Sequence, residues 1–213
     1  MKRPLIIIFA ILIIDQILKI WIKTNMHLGE EISLFGNWGL IHFIENNGMA
    51  FGMEFTKGGG WGKIALSIFR ILAVSAIGWY LVDLTKKGAK QGLIIAISLI
   101  FAGAVGNIID SMFYGLIFSA SSYYEVAKFM PEGGGYAGFL HGKVVDMFYF
   151  PILRTHYPEW FPYLGGRDFI FFRPVFNIAD SAITIGVAML IIKQKSFLGK
   201  QKEAEKTKVE EVL

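Results

Sequence analysis

The chain has 213 residues, of which 54% are hydrophobic and only 18% charged, with a formal net charge of +4 and a mean hydropathy of +0.51. A charged share so far below the roughly 25% of a soluble domain points to a membrane protein. The absence of cysteine excludes a thiol nucleophile, structural disulfides and thiolate metal sites.

Four apolar runs are long enough to cross a hydrocarbon core of ~30 Å, which takes about 20 helical residues. The first is Leu5–Ile22. It carries Asp15 and Lys19 inside the run and has no small-residue cleavage site behind it, so it reads as a span and not as a removable leader. Residues 24–61 follow, alternating apolar and polar side chains at Ile32–Phe35 and Leu40–Ile44 between turn signals at Gly29, Gly36-Asn37 and Asn46-Asn47-Gly48. That pattern predicts short strands at the membrane surface. Gly58-Gly59-Gly60 leads into the second run, Ile64–Leu84, with Trp61 as an interfacial anchor. The third run is Gly92–Tyr114, and a long outer stretch rich in Gly, Tyr and Phe then leads to the fourth, Val175–Ile192. Residues 193–213 form a charged tail, frayed at its Lys- and Glu-rich end.

Orientation follows from the cations. Lys2, Arg3, Lys86, Lys87, Lys90 and the lysines of the tail fall in the three segments that must share one side if all four runs cross. Basic segments stay in the cytoplasm, so both termini are expected there, with residues 23–63 and 115–174 outside. The expected fold is an all-α membrane domain of four transmembrane helices with a small extramembrane β region on the outer side, filling residues 1–213. The positive charge reports topology and not nucleic-acid binding.

Polar side chains inside these runs carry the chemistry. A carboxylate at bilayer depth costs several kcal/mol and is functional by default. Asp110 lies near the end of the third run and Asp180 just inside the fourth; Asn107 and Asn177 each precede an Asp by three residues, which on a helix shares a face. Asp146 is expected in the outer loop. Asp15 and Lys19, at i and i+4, can form a structural ion pair or face a substrate. Asn107 and Asn177 can act as interhelical hydrogen-bond glue, and Asp110 can cap the outer end of its helix. Arg70 lies deep in the second run and needs a partner. His27, His42, His141 and His156 show no metal-ligand spacing and read as surface residues, so neither a metal nor another cofactor is expected. Paired carboxylates split their proton affinities, so one can take a proton from water while the other donates to the scissile carbonyl or leaving group. Ser181 is not in a G-x-S-x-G elbow. Spacing alone leaves an aspartic-type hydrolase level with a small Asp-dependent transporter, and a membrane scaffold stands behind both.

Five segments in order decide among these. They are Asp15-x-x-x-Lys19, Asn46-Asn47-Gly48-Met49-Ala50-Phe51, Gly103-Ala104-Val105-Gly106-Asn107-Ile108-Ile109-Asp110, Val144-Val145-Asp146 and Phe176-Asn177-Ile178-Ala179-Asp180-Ser181. Together they resemble the bacterial lipoprotein signal peptidases, signal peptidase II. The resemblance implies a catalytic pair at Asp146 and Asp180, with Asn46, Asn107 and Asn177 lining the site alongside Asp15, Lys19 and Asp110, the last outside the pair. It implies a monomeric enzyme of the bacterial inner membrane, with its site near the outer face among membrane lipid. Its substrate would be a diacylglyceryl-modified prolipoprotein, cut just before the lipidated Cys. Two departures stand out. Ser111 occupies a position where the family usually has Arg, for which Arg70 or Lys143 are stand-ins, and the connections 115–143 and 151–173 are long.

Overall fold

The computed structural model describes residues 2–47, 60–156, 158–163, 165–171, 173–195 and 197. The expectations placed on Gly48–Phe51, Gly58-Gly59 and the Lys200–Leu213 tail lie outside the described residues. Among the described residues, four helices and six strands follow in chain order. Helix α1 covers Lys2–Asn25, strands β1 and β2 cover Glu31–Phe35 and Gly39–Asn46, and α2 covers Gly60–Lys86. Helix α3 covers Gln91–Ile117. Strands β3 (Val144–Tyr149), β4 (Leu153–His156), β5 (Asp168–Phe171) and β6 (Val175–Phe176) precede α4, Ile178–Ile192.

Helices α1, α2 and α3 are long and apolar enough to cross a membrane; α4 is apolar but spans 15 residues. Their side chains are arranged inside out. Along α1, Ile6, Phe9, Ile13 and Ile17 are exposed while Asp15, Lys19 and Lys23 are fully buried. A helix in water would do the reverse. In hydrocarbon there is no penalty for an outward Ile, and every ionic group must find its partners inside.

The chain divides into two compact units. The first comprises residues 1–15, 68–108 and the segment from Ile178 onward. Its core joins Ile8, Leu81, Leu84, Leu93, Ile97 and Phe197. Within it α3 and α4 approach closely through small residues, as membrane helices do where backbones pack. A Cβ placed on Gly103 would lie 2.2 Å from the Ala179 carbonyl oxygen. Gly103→Ala must therefore push α4 away. Overpacking of this kind costs about 1–3 kcal/mol, to be read as a lower unfolding midpoint in detergent, whereas Ala104→Gly should shift it far less.

The second unit comprises residues 16–67 and 109–177. Its sheet has the order β1-β2-β3-β6, antiparallel throughout, and a separate hairpin pairs β4 with β5. The strands predicted at Ile32–Phe35 and Leu40–Ile44 are β1 and β2. The six residues of β3, Val-Val-Asp-Met-Phe-Tyr, combine β-branched and aromatic side chains suited to a pleated, buried surface; all but Phe148 are buried. Val145 and Met147 pack with Ile22, Met26, Phe43, Tyr114 and Phe118 in the core of this unit. Two expectations are corrected here. Asp146 is not in a loop but inside the central strand β3, facing Ile44 of β2. The fourth apolar segment does not become helical at Val175: Val175 and Phe176 form β6 and pair with Tyr149 and Phe148, so the helix starts three residues later.

Helix α3 is not uniform. Asp110–Tyr114 is a π-helical turn, a form that is rare and concentrated at functional sites. The helix then runs on to Ile117, so Asp110 is not an end cap. The long stretch after it folds back along the same helix. Backbone N–H groups of Gly142, Ala137 and Met130 donate to the carbonyls of Ser111, Gly115 and Ile117 at 2.9, 2.9 and 2.7 Å. Carbonyls left without helical partners near a helix end need such donors. Residues 118–143 are therefore a strap fastened to α3.

Candidate active site

Each unit gathers part of the predicted set. In the first unit, Asp15 and Asp180 both meet the start of α4. The first backbone N–H groups of a helix have no partner within it and carry partial positive charge. The Ala179 N–H donates to Asp15 Oδ1 at 2.9 Å, so a carboxylate from α1 caps α4. Gly106 permits the approach, since a Cβ there would stand 2.9 Å from Asp15 Oδ2. Asp180, in the first turn of α4, accepts a hydrogen bond from Asn107 Nδ2 at 2.8 Å. Arg70 of α2 is close enough for its charge to interact with that of Asp180.

In the second unit, Asp110 and Lys19 form a fully buried ion pair, 2.9 Å from Nζ to Oδ2. Two further donors converge on the same carboxylate. Gln16 Nε2 reaches Oδ1 at 2.9 Å and the Val145 N–H reaches Oδ2 at 3.3 Å. Gln16 in turn accepts from the Tyr114 hydroxyl at 3.1 Å, tying the π-helical turn to α1. Asp110 thus holds the backbone of β3 one residue before Asp146.

Asp146 itself is buried, and its donors are side-chain amides. Asn177 Nδ2 donates to Oδ1 at 2.8 Å and also to the Val145 carbonyl at 3.2 Å, and Asn46 Nδ2 lies 3.4 Å from Oδ2. A buried carboxylate needs such donors, because an isolated one would cost far more than it could recover. The helical-face argument for Asn177 and Asp180 is corrected. Asn177 precedes α4, and its amide turns back to β3.

Sequence reasoning missed a second buried charge cluster in this unit. Lys23, fully buried, is ion-paired with Glu45 and donates to Ser121 Oγ at 2.9 Å. Ser121 Oγ donates to Glu45 Oε1 at 2.8 Å, and Lys143 Nζ lies 3.3 Å from Oε2. The Lys143 N–H donates to the Tyr136 hydroxyl at 2.6 Å, and burial pushes that phenol well above its usual range, so it stays neutral. The cluster fastens the strap to α1 and to β2, next to Asn46. Its signal was available: Asp15, Lys19 and Lys23 repeat every four residues along one helical face. Lys63 of α2 was also missed. Its Nζ donates to Asn47 Oδ1 at 3.2 Å and to the His141 carbonyl at 2.8 Å.

Among the described residues, no three His, Asp or Glu side chains converge so as to hold a metal ion. The chemical contrast among the carboxylates is then clear. Asp110 is neutralised by a lysine and saturated with donors. Asp146 and Asp180 each accept a hydrogen bond from an asparagine amide.

Comparison with known proteins finds relatives over most of the chain. The family profile described as Signal peptidase (SPase) II matches residues 7–195. A lipoprotein signal peptidase of Porphyromonas gingivalis is 46% identical over 187 residues, covering 87% of this chain and 80% of its own. One from Amoebophilus asiaticus is 36% identical over 203 residues, covering 94% and 80%. A solved bacterial membrane enzyme, 27% identical, superposes with a TM-score of 0.60 over 92% of this chain and 89% of its own.

Proposed function

Because the chain belongs to the signal peptidase II family, and is thereby a membrane protease, we propose that it removes signal peptides from diacylglyceryl-modified prolipoproteins just before the lipidated cysteine, with Asp146 and Asp180 as the acid–base pair. The observation that carries the pair is the one above: each of these two carboxylates is held by an asparagine amide, while Asp110 is consumed by Lys19. Chain connectivity supports it as well, since Asn177, the donor to Asp146, is only three residues before Asp180.

The reaction needs no group beyond these. The ionised carboxylate takes a proton from water as its oxygen adds to the scissile carbonyl carbon. The protonated one donates to the carbonyl oxygen. Collapse of the tetrahedral diol breaks the C–N bond: the leaving nitrogen takes the proton that the first carboxylate drew from water, and a diol hydroxyl returns its proton to the second. Asn46, Asn107 and Asn177 keep the two carboxylates oriented, which is where much of the barrier reduction in such a site resides. A transporter would need a polar path through the membrane. The apolar runs of α3 before Asn107 and of α4 after Ser181 and Thr184 supply none.

In this reading α4 is the fourth span, both termini are cytoplasmic, and the carboxylates act near the outer face, where a lipid on cysteine anchors the substrate. Single cysteines test the orientation, since the chain has none of its own. Gly134→Cys should react with an impermeant maleimide on intact cells and Gly88→Cys only after lysis; the opposite result inverts the topology. The substrate is tested by offering purified protein a diacylglyceryl-modified precursor and its unmodified form. Cleavage of the first alone is expected, and cleavage of both equally would remove the lipid from the recognition argument.

A further inference from the structure

The β4–β5 hairpin has no part in the chemistry above, yet it is built to present aromatic side chains. We propose that its tip is a lipid anchor that inserts into the interfacial layer of the bilayer beside the spans. The strands pair from Leu153 with Phe171 to His156 with Asp168, and the turn beyond them carries Trp160 at 79% exposure, Phe161 at 38% and Tyr163 at 97%. The Trp160 and Phe161 rings meet at a tilt of 55°, with centroids 5.9 Å apart. Tyr163 adopts φ 64°, the left-handed region where a turn ordinarily uses Gly or Asn. The backbone is thus strained at the one residue whose ring is most completely turned outward. Outward aromatics serve no packing purpose in water. At a headgroup boundary the same Trp and Tyr rings bury an apolar body and keep a polar atom wet.

Covalent reach keeps the bilayer available to the tip. Arg173, just past β5, is five residues before the first residue of α4. At no more than ~3.6 Å per residue, that tether spans at most about 18 Å. A four-residue strand adds roughly 13 Å. The tip is therefore tethered to the segment that enters the membrane, close enough to meet its interfacial layer. Exposed Arg167, beside the tip, suits lipid phosphate through its guanidinium fork. The anchor rests on the reading of α4 as a membrane span, and not on the peptidase chemistry.

The experiment uses the full chain in vesicles of phosphatidylethanolamine and phosphatidylglycerol, with a nitroxide on a single cysteine. At Glu159→Cys, which leaves all three aromatics in place, collisions with dissolved oxygen should exceed those with an aqueous nickel chelate. At Glu132→Cys, on the strap, the nickel chelate should dominate. Replacing Trp160, Phe161 and Tyr163 together by Ser should shift residue 159 to the nickel-favoured side. A label at Ile191→Cys should stay oxygen-favoured in the same background, which verifies insertion. Nickel-favoured collisions at residue 159 with the tip intact would overturn the proposal. So would a label immobile and shielded from both reagents, the sign of a protein partner, or an oxygen preference unchanged by the triple substitution.

Discussion

Asp146→Asn and Asp180→Asn are each expected to abolish turnover while leaving the protein folded and inserted. Asparagine is isosteric with aspartate, so the hydrogen bonds to Asn177 and Asn107 can be remade by rotating an amide. What is lost is the capacity to accept and return a proton. Without general acid–base assistance, a rate falls by at least ~10²–10⁴. Because the pair acts as a unit, the double variant should be little slower than either single one. Asp110→Asn is expected to be milder, since Asp110 acts on β3 through the Val145 N–H and touches no reacting atom in this account. Single-turnover cleavage of a modified precursor, with thermal unfolding of each variant beside it, checks the whole set. An inactive Asp110→Asn beside a fully active Asp146→Asn would move the chemistry to another carboxylate.

Lys19→Met should give the largest loss of stability. It removes the cation from a pair in which both side chains are fully buried, leaving Asp110 with Gln16 and the Val145 N–H as neutral donors. Breaking a buried pair from one side costs about 3–5 kcal/mol, because the remaining charge stays desolvated, whereas replacing both partners with apolar groups is often close to neutral. Lys19→Met/Asp110→Leu should therefore be more stable than Lys19→Met alone. The unfolding free energies of the two singles and the double, measured in one detergent, form a double-mutant cycle whose coupling reports the pair. Additive losses would show that Lys19 and Asp110 stabilise the fold independently.

How much of this was legible in the residues depends on what each signal measures. Hydropathy located α1, α2 and α3 to within a few residues, because a bilayer imposes length and composition directly. The alternation in residues 32–44 predicted β1 and β2 for an equally local reason. Asp146 was misplaced because a strand buried on both faces, Val144–Tyr149, shows no alternation, and a short apolar run with one charge looks like loop. The end of β3 and the start of α4 compete for the same apolar residues; Val175 and Phe176 went to the sheet because their partners, Tyr149 and Phe148, lie far away in sequence. Lys19 also has a non-local partner: Asp110, 91 residues on, forms a buried ion pair with it, a contact that spacing along one helix does not reveal. The resemblance to a family, resting on ordered short segments, named Asp146 where spacing alone favoured Asp110.

The central claim is that these carboxylates hydrolyse one peptide bond without a metal, at a position set by a lipid. The most direct measurement is mass spectrometry of the mature product formed by purified protein from a diacylglyceryl-modified precursor in the presence of a chelator. The account predicts a product whose first residue is the diacylglyceryl cysteine, formed at an undiminished rate. No product, a cut elsewhere in the chain, or activity lost to the chelator and restored by a divalent ion would contradict it.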